Sequence, residues 1–214
     1  MARQKYKDAN GEPLPGVTTI IAQSDQGGLI AAANSMGLKG RAVYGPAGEW
    51  TRAADIGTAA HALIGAHLTG VPIEPKDFDA EVLRLAQLPY QSFLGWREGK
   101  SLDGASEVGL THPGLFYGGT LDMLGKDYIL DWKTSSSMRF QDGWYAQLAG
   151  YKILAEANGH GPILRMTVVR FPKEGGLAEE LVIEGEKAEA GKDLFLSLLA
   201  AWKARKIINT KEKK

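Results

Sequence analysis

The chain has 214 residues, 44% of them hydrophobic and 23% charged, which is ordinary for a soluble globular protein and enough for a real core. Its 25 basic and 25 acidic residues cancel, so no global charge announces a polyanionic partner. There is no cysteine, which excludes disulfides, thiolate nucleophiles, thiolate zinc sites and iron–sulfur clusters and fits a cytoplasmic protein; no apolar run is long enough to span a membrane, and the residues after Met1 lack a signal-peptide core.

In chain order, residues 5–14 read as a short extended piece turning at Asn10-Gly11, and Pro15-Gly16 opens a brief helix over 17–21. An Ala-rich helix is expected over 28–43, weakened by Gly37 and Gly40. A second helix fits 49–68, with Trp50, Ala53, Ala54, Gly57, His61, Ile64 and Leu68 along one side, and a third fits 77–97 with Phe78, Val82, Leu85 and Leu88 as its buried stripe and Pro89 as a kink. After Gly99 the texture changes. Strands are expected at 106–110, 116–124 and 128–134, a helix at 141–157, strands at 163–171 and 178–183 around Lys173-Glu174-Gly175-Gly176, and a long helix at 186–208 with Leu194, Leu198 and Trp202 at helical spacing. The order predicts one domain over residues 1–214: an α/β sandwich around a mixed central sheet flanked by helices, with a mainly helical part over 1–99 and a sheet-containing core over 100–214.

The most informative segment is Gly118-Gly119-Thr120-Leu121-Asp122, followed by Asp131-Trp132-Lys133. With Lys126-Asp127 as a two-residue hairpin loop, Asp122 falls opposite Asp131, and the strand period returns Lys133 to the same face. Leu121, Met123, Leu130 and Trp132 then point into a core. Two close carboxylates repel unless a positive group lies between them, and hard divalent cations take such oxygen ligands. The alternative is a solvated surface hairpin with an ordinary ion pair. Gly57 and His61 stand one helical turn apart, Glu107 lies on the preceding strand near Asp122, and Gln147 and Tyr151 share a helix face at i,i+4. Thr134 and Ser135, with the serines after them, offer hydroxyls to a phosphate. His67, His112 and His160 have no ligand-like spacing, and phosphate-cradling loops and nucleophile elbows are absent. A basic run from Lys203 to Lys214 faces one acid, Glu212, and Trp50, Arg52, Arg139 and Trp144 are candidate nucleic-acid contacts.

Taken in order, these motifs resemble the PD-(D/E)XK nuclease superfamily and, more narrowly, its RecB-like exonucleases, including stand-alone phage members. The resemblance runs from about Trp50 to Tyr151. It implies a PD-(D/E)XK nuclease core and one or two Mg²⁺ or Mn²⁺ ions held by Asp122, Asp131, the Trp132 carbonyl and His61. Lys133 is the implied catalytic lysine, Gln147 and Tyr151 lie beside the active site and the DNA, and Glu107 is an acidic position of variable role. Asp131 stands where the family more often has Glu. The implied function is a metal-dependent DNA exonuclease acting on single-stranded ends with 5′-to-3′ polarity, without an iron–sulfur cluster or a membrane. A recombination or replication protein is the implied partner. The rival expectations are a structure-specific DNA endonuclease and an inactive nucleic-acid-binding module.

Overall fold

A computed structural model describes residues 6–24, 49–135 and 142–209. The expected helix at 28–43, Arg139, Ser136 and Ser137, the side chain of Trp50 and the last five residues lie outside the described part.

Two short strands, β1 (Tyr6–Lys7) and β2 (Pro13–Leu14), pair antiparallel and lead into the short helix α1 (Val17–Ile21). Helix α2 (Glu49–Thr69) is followed by a 3-10 turn (Pro75–Asp77) and α3 (Ala80–Arg97), whose first turn is capped by Asp79 accepting from the amides of Glu81 and Val82. Then come β3 (Gly104–His112), β4 (Tyr117–Gly125), β5 (Tyr128–Ser135), α4 (Asp142–Ala157), β6 (Arg165–Pro172), β7 (Glu179–Ile183) and α5 (Gly185–Asn209). The five longer strands form one mixed sheet in the order β3-β4-β5-β6-β7. Every neighbouring pair is antiparallel except β5 and β6, and a parallel pair needs a crossover, which α4 supplies.

The sheet separates two cores. On one face α1, α4 and α5 bury Val17, Ile20, Leu148, Leu154 and Phe195 against Leu121, Leu124 and Ile129. On the other, α2 and α3 bring Ile64 and Phe93 onto Met123, Leu130, Trp132, Val169 and Phe171, an aromatic cluster in which the Phe93 and Trp132 rings meet edge to face at 6.0 Å. Ile56, Ala59, Ala60, Val82 and Ala86 seal α2 to α3.

Three expectations need correction. Leu121 does not share a face with Met123: it packs with Leu124, three residues on, which a strand of strict period two forbids. The β3–β4 ladder is interrupted where Glu107, with φ 57°, meets Asp122, and pairing resumes in the same register at Val108 and Leu121. On α3, Leu88 is exposed and the helix runs on through Pro89 to bury Ala86, Pro89 and Phe93. On α5 the fully buried stripe is Gly191, Phe195 and Leu199, one residue beyond the expected one, because Gly191 lets the helix approach the Tyr145 backbone, where a Cβ would sit 2.7 Å from its carbonyl oxygen.

Candidate functional site

The hairpin closes in the expected register, Met123↔Leu130 and Leu124↔Ile129, but the pairing of β4 with β5 stops there. Beyond it β4 leaves β5, and the Asp122 carboxylate takes the place of the missing ladder bond: Oδ2 accepts from the Trp132 amide at 2.7 Å. Glycines let β4 bend against its neighbours. Gly118 donates its amide to the Pro15 carbonyl at 2.9 Å, and a Cβ there would lie 2.3 Å from the Tyr6 ring; a Cβ on Gly119 would lie 2.8 Å from the Tyr151 ring.

Helix α2 crosses this region on its small-residue side. Gly57 lies over Thr134, His61 over Asp122 and Gly65 over Glu107, each one helical turn from the next. His61 Nδ1 is 3.3 Å from Asp122 Oδ1. One ligand atom each from His61, Glu107 and Asp122 falls within 4.8 Å of the others, a nitrogen and two carboxylate oxygens from a helix and two strands. Glu107 joins this group at the ladder interruption, where its φ is positive. Imidazole with carboxylates is a donor set that suits a divalent cation.

Asp131 and Lys133 stand on the adjacent strand, toward α4. Asp131 is 2% exposed, and Lys133 Nζ lies 2.5 Å from its Oδ2. Gln147 ties the two together: its Oε1 accepts from Lys133 at 2.9 Å, and its Nε2 donates to Asp131 Oδ1 at 3.0 Å and to the Tyr151 hydroxyl at 3.1 Å. Gln147 and Tyr151 are both buried, under the site rather than on its surface.

The charges respond to one another. Burial opposes a charged His61, but the Asp122 carboxylate outweighs it and the imidazole pKa is raised. Burial likewise opposes ionised Asp122, yet His61, Lys133 and the Trp132 amide hold its pKa below the usual carboxylate range. Asp131 is pushed up, by burial first and by Asp122, with Lys133 pulling the other way. Desolvation and then Asp122 raise Glu107.

An open cleft of about 1090 Å³ runs between α2 and the sheet, and His61, Glu107, Asp122, Trp132, Lys133 and Thr134 all line it. Asp131, Gln147 and Tyr151 do not. The expected pair of Asp122 and Asp131 around a cation is therefore not the cluster that the fold assembles most closely. Asp122 groups with His61 and Glu107, and Asp131 groups with Lys133. Ser135 keeps its strand position, with its carbonyl accepting from Arg170 at 2.8 Å. Trp144 is buried in the core and Arg52 is paired with Glu81 at 3.2 Å on the surface. His67 contacts Tyr90 and Arg97, and His112 Nδ1 accepts from the amides of Gly114 and Leu115. Sequence reasoning missed the charged cleft residues Glu74, Asp77 and Lys173, the last of which follows β6 in a segment legible only as a turn.

No family model matches the chain, and no curated protein does. Among solved structures, a protein from Eubacterium rectale named "Putative exonuclease" is similar at a TM-score of 0.50 and 12% identity, over 70% of this chain. This chain spans 65% of that protein's length, just under two thirds. The likeness is one of fold, a mixed sheet between layers of helices. SSO0001 is matched over 76% of this chain and 77% of its own at 12% identity, but a TM-score of 0.36 is too loose to argue from. No described helix is long and apolar enough to cross a membrane.

Proposed function

We propose that the chain is a divalent-cation-dependent nuclease that hydrolyses the phosphodiester bonds of DNA. In this reading it is a RecB-like member of the PD-(D/E)XK superfamily, an exonuclease acting on single-stranded ends with 5′-to-3′ polarity in recombination, repair or replication. The observation that carries it is the convergence of His61, Glu107 and Asp122 at one spot in an open cleft, with Lys133 lining the same cleft. The fold likeness to a protein named as an exonuclease supports the same reading.

The donor set fits Mg²⁺ or Mn²⁺, with His61, Glu107 and Asp122 as holders and Asp131 and the Trp132 carbonyl joining from β5. Such an ion supplies Lewis-acid charge to the phosphate and to the attacking water. The chain's own groups do the rest. Lys133 is aimed by Asp131 and Gln147, so its ammonium meets developing negative charge without first having to reorganise. Asp122, fixed by the Trp132 amide and His61, stays ionised. Gln147 and Tyr151 position Lys133 and Asp131 from below, and Thr134 and Ser135 carry the chain away from the reacting centre toward bound substrate.

End-labelled single- and double-stranded DNA, incubated with Mg²⁺ or Mn²⁺ and with EDTA, tests this directly. Cleavage is expected only with the cation, with covalently closed circles left whole. Asp122→Ala and Asp131→Ala should abolish it, and Lys133→Ala should lower the rate by at least about 10²–10³-fold. Activity that survives EDTA, or wild-type rates in Asp122→Ala, would overturn the proposal.

A further inference from the structure

The cleft carries side chains of both charges among its described residues. Its described carboxylates are Glu74, Asp77, Glu107 and Asp122. Ala53, Ala54 and Gly57 form its wall along the N-terminal half of α2, with Gly57 against Thr134, and Lys173 lines the same cleft. Lys173 is half-buried, and among the described residues its ammonium makes no ion pair. Desolvation lowers its pKa, with only nearby Glu174 pulling the other way. Thr134 Oγ1 is buried with no hydrogen-bond partner among the described residues.

Strand geometry sets the spacing. β5 and β6 run parallel with Trp132 beside Val169, Thr134 beside Phe171 and Ser135 beside Pro172. Lys173 follows Pro172, four residues beyond the level at which Asp122 binds the Trp132 amide. Four strand residues rise roughly 13 Å, which a lysine stem shortens but does not close. Lys173 is thus removed from the acidic cluster along the same cleft.

We propose that Lys173, with the Thr134 hydroxyl, forms a second phosphate subsite that holds the backbone of a bound DNA strand next to the reacting phosphodiester. The inference rests on the nuclease reading. It adds a cationic contact for the strand, Lys173, set apart along the cleft from the cluster at Asp122. Lys173 binds substrate here and takes no part in bond breaking.

Three variants test the subsite: Lys173→Ala, Lys173→Met, which keeps the apolar stem, and Lys173→Arg, which keeps the charge. Binding of a fluorescent 20-nucleotide single strand is followed by anisotropy in EDTA at low salt, and KM and kcat are measured with Mg²⁺ or Mn²⁺. The Ala and Met variants should lose roughly fivefold in affinity and gain as much in KM, and their log–log salt slope should shrink by about 0.7. Their penalty should fall on shortening the substrate to a dinucleotide, and Lys173→Arg should recover most of the loss. Unchanged affinity, KM and salt slope would overturn the subsite, as would a penalty equal on the dinucleotide and the 20-mer. A wild-type protein that binds the strand but cleaves nothing with either cation refutes the nuclease reading alone, since anisotropy still reports on Lys173. A wild-type protein that neither binds nor cleaves refutes both.

Discussion

Glu107 holds φ 57° in the middle of a strand, a left-handed conformation that costs a side-chain-bearing residue about 1–2 kcal/mol. Desolvation, and then repulsion from the nearby Asp122 carboxylate, also raise its pKa. Packing repays little of these costs, since Glu107 is exposed and its stem meets only Gly65 of α2 among the contacts described. Glu107→Gly removes backbone strain and carboxylate repulsion together. Its unfolding free energy from urea titration should stay within about 1 kcal/mol of wild type or rise, although glycine inside a regular strand costs roughly 0.5–1 kcal/mol. A Mn²⁺ titration of the same variant should show weakened binding. A large loss of stability would mean that Glu107 is structural. Asp122, Asp131 and Lys133 were legible in the sequence because strand periodicity and a two-residue loop fix their register. The nearness of Glu107 to Asp122 was legible too, from antiparallel pairing of their strands, whereas the closure of His61 onto that pair was not, because the packing of a helix over a sheet leaves no period in the sequence.

Helices α2 and α3 reach the sheet through few large side chains. Phe93 is fully buried and meets the rings of Tyr90, Trp96, Trp132 and Phe171, which makes it, with Trp96, a link between α3 and the strand that carries Asp131 and Lys133. Phe93→Ala should cost about 3–5 kcal/mol in urea unfolding, near the upper range for a core truncation. An effect below about 1 kcal/mol would show that α3 docks independently of that cluster. The existence and order of the described elements followed from periodicity and turn residues. The buried faces were harder. Sequence reading favours large apolar residues such as Leu88 and Leu194, whereas the helices turn Ala86, Pro89 and Gly191 inward to come close, leaving Phe93 and Phe195 to fill the space. The cleft along α2 has the same origin, since Ala53, Ala54 and Gly57 leave room that larger side chains would fill.

At the scale of the whole molecule, a chain of zero net charge has no long-range field to draw in a polyanion, so affinity for DNA has to arise within the cleft. There the described carboxylates Glu74, Asp77, Glu107 and Asp122 outnumber Lys133 and Lys173, even with His61 drawn toward its charged form. A divalent cation at the acidic cluster adds two positive charges where the local balance is least favourable to phosphate. Substrate binding and cation binding should therefore reinforce each other. At matched ionic strength, an oligonucleotide should bind wild type on the order of tenfold more tightly in Ca²⁺ than in EDTA, a coupling of about 1.4 kcal/mol. Asp122→Asn removes one repelling charge and one holder of the cation at once. It should bind the strand at least as well as wild type in EDTA yet gain much less from Ca²⁺, so the two proteins exchange rank between the two buffers. Equal wild-type affinity in both buffers would mean that the strand binds away from the acidic cluster, and an undiminished gain in Asp122→Asn would move the cation off Asp122.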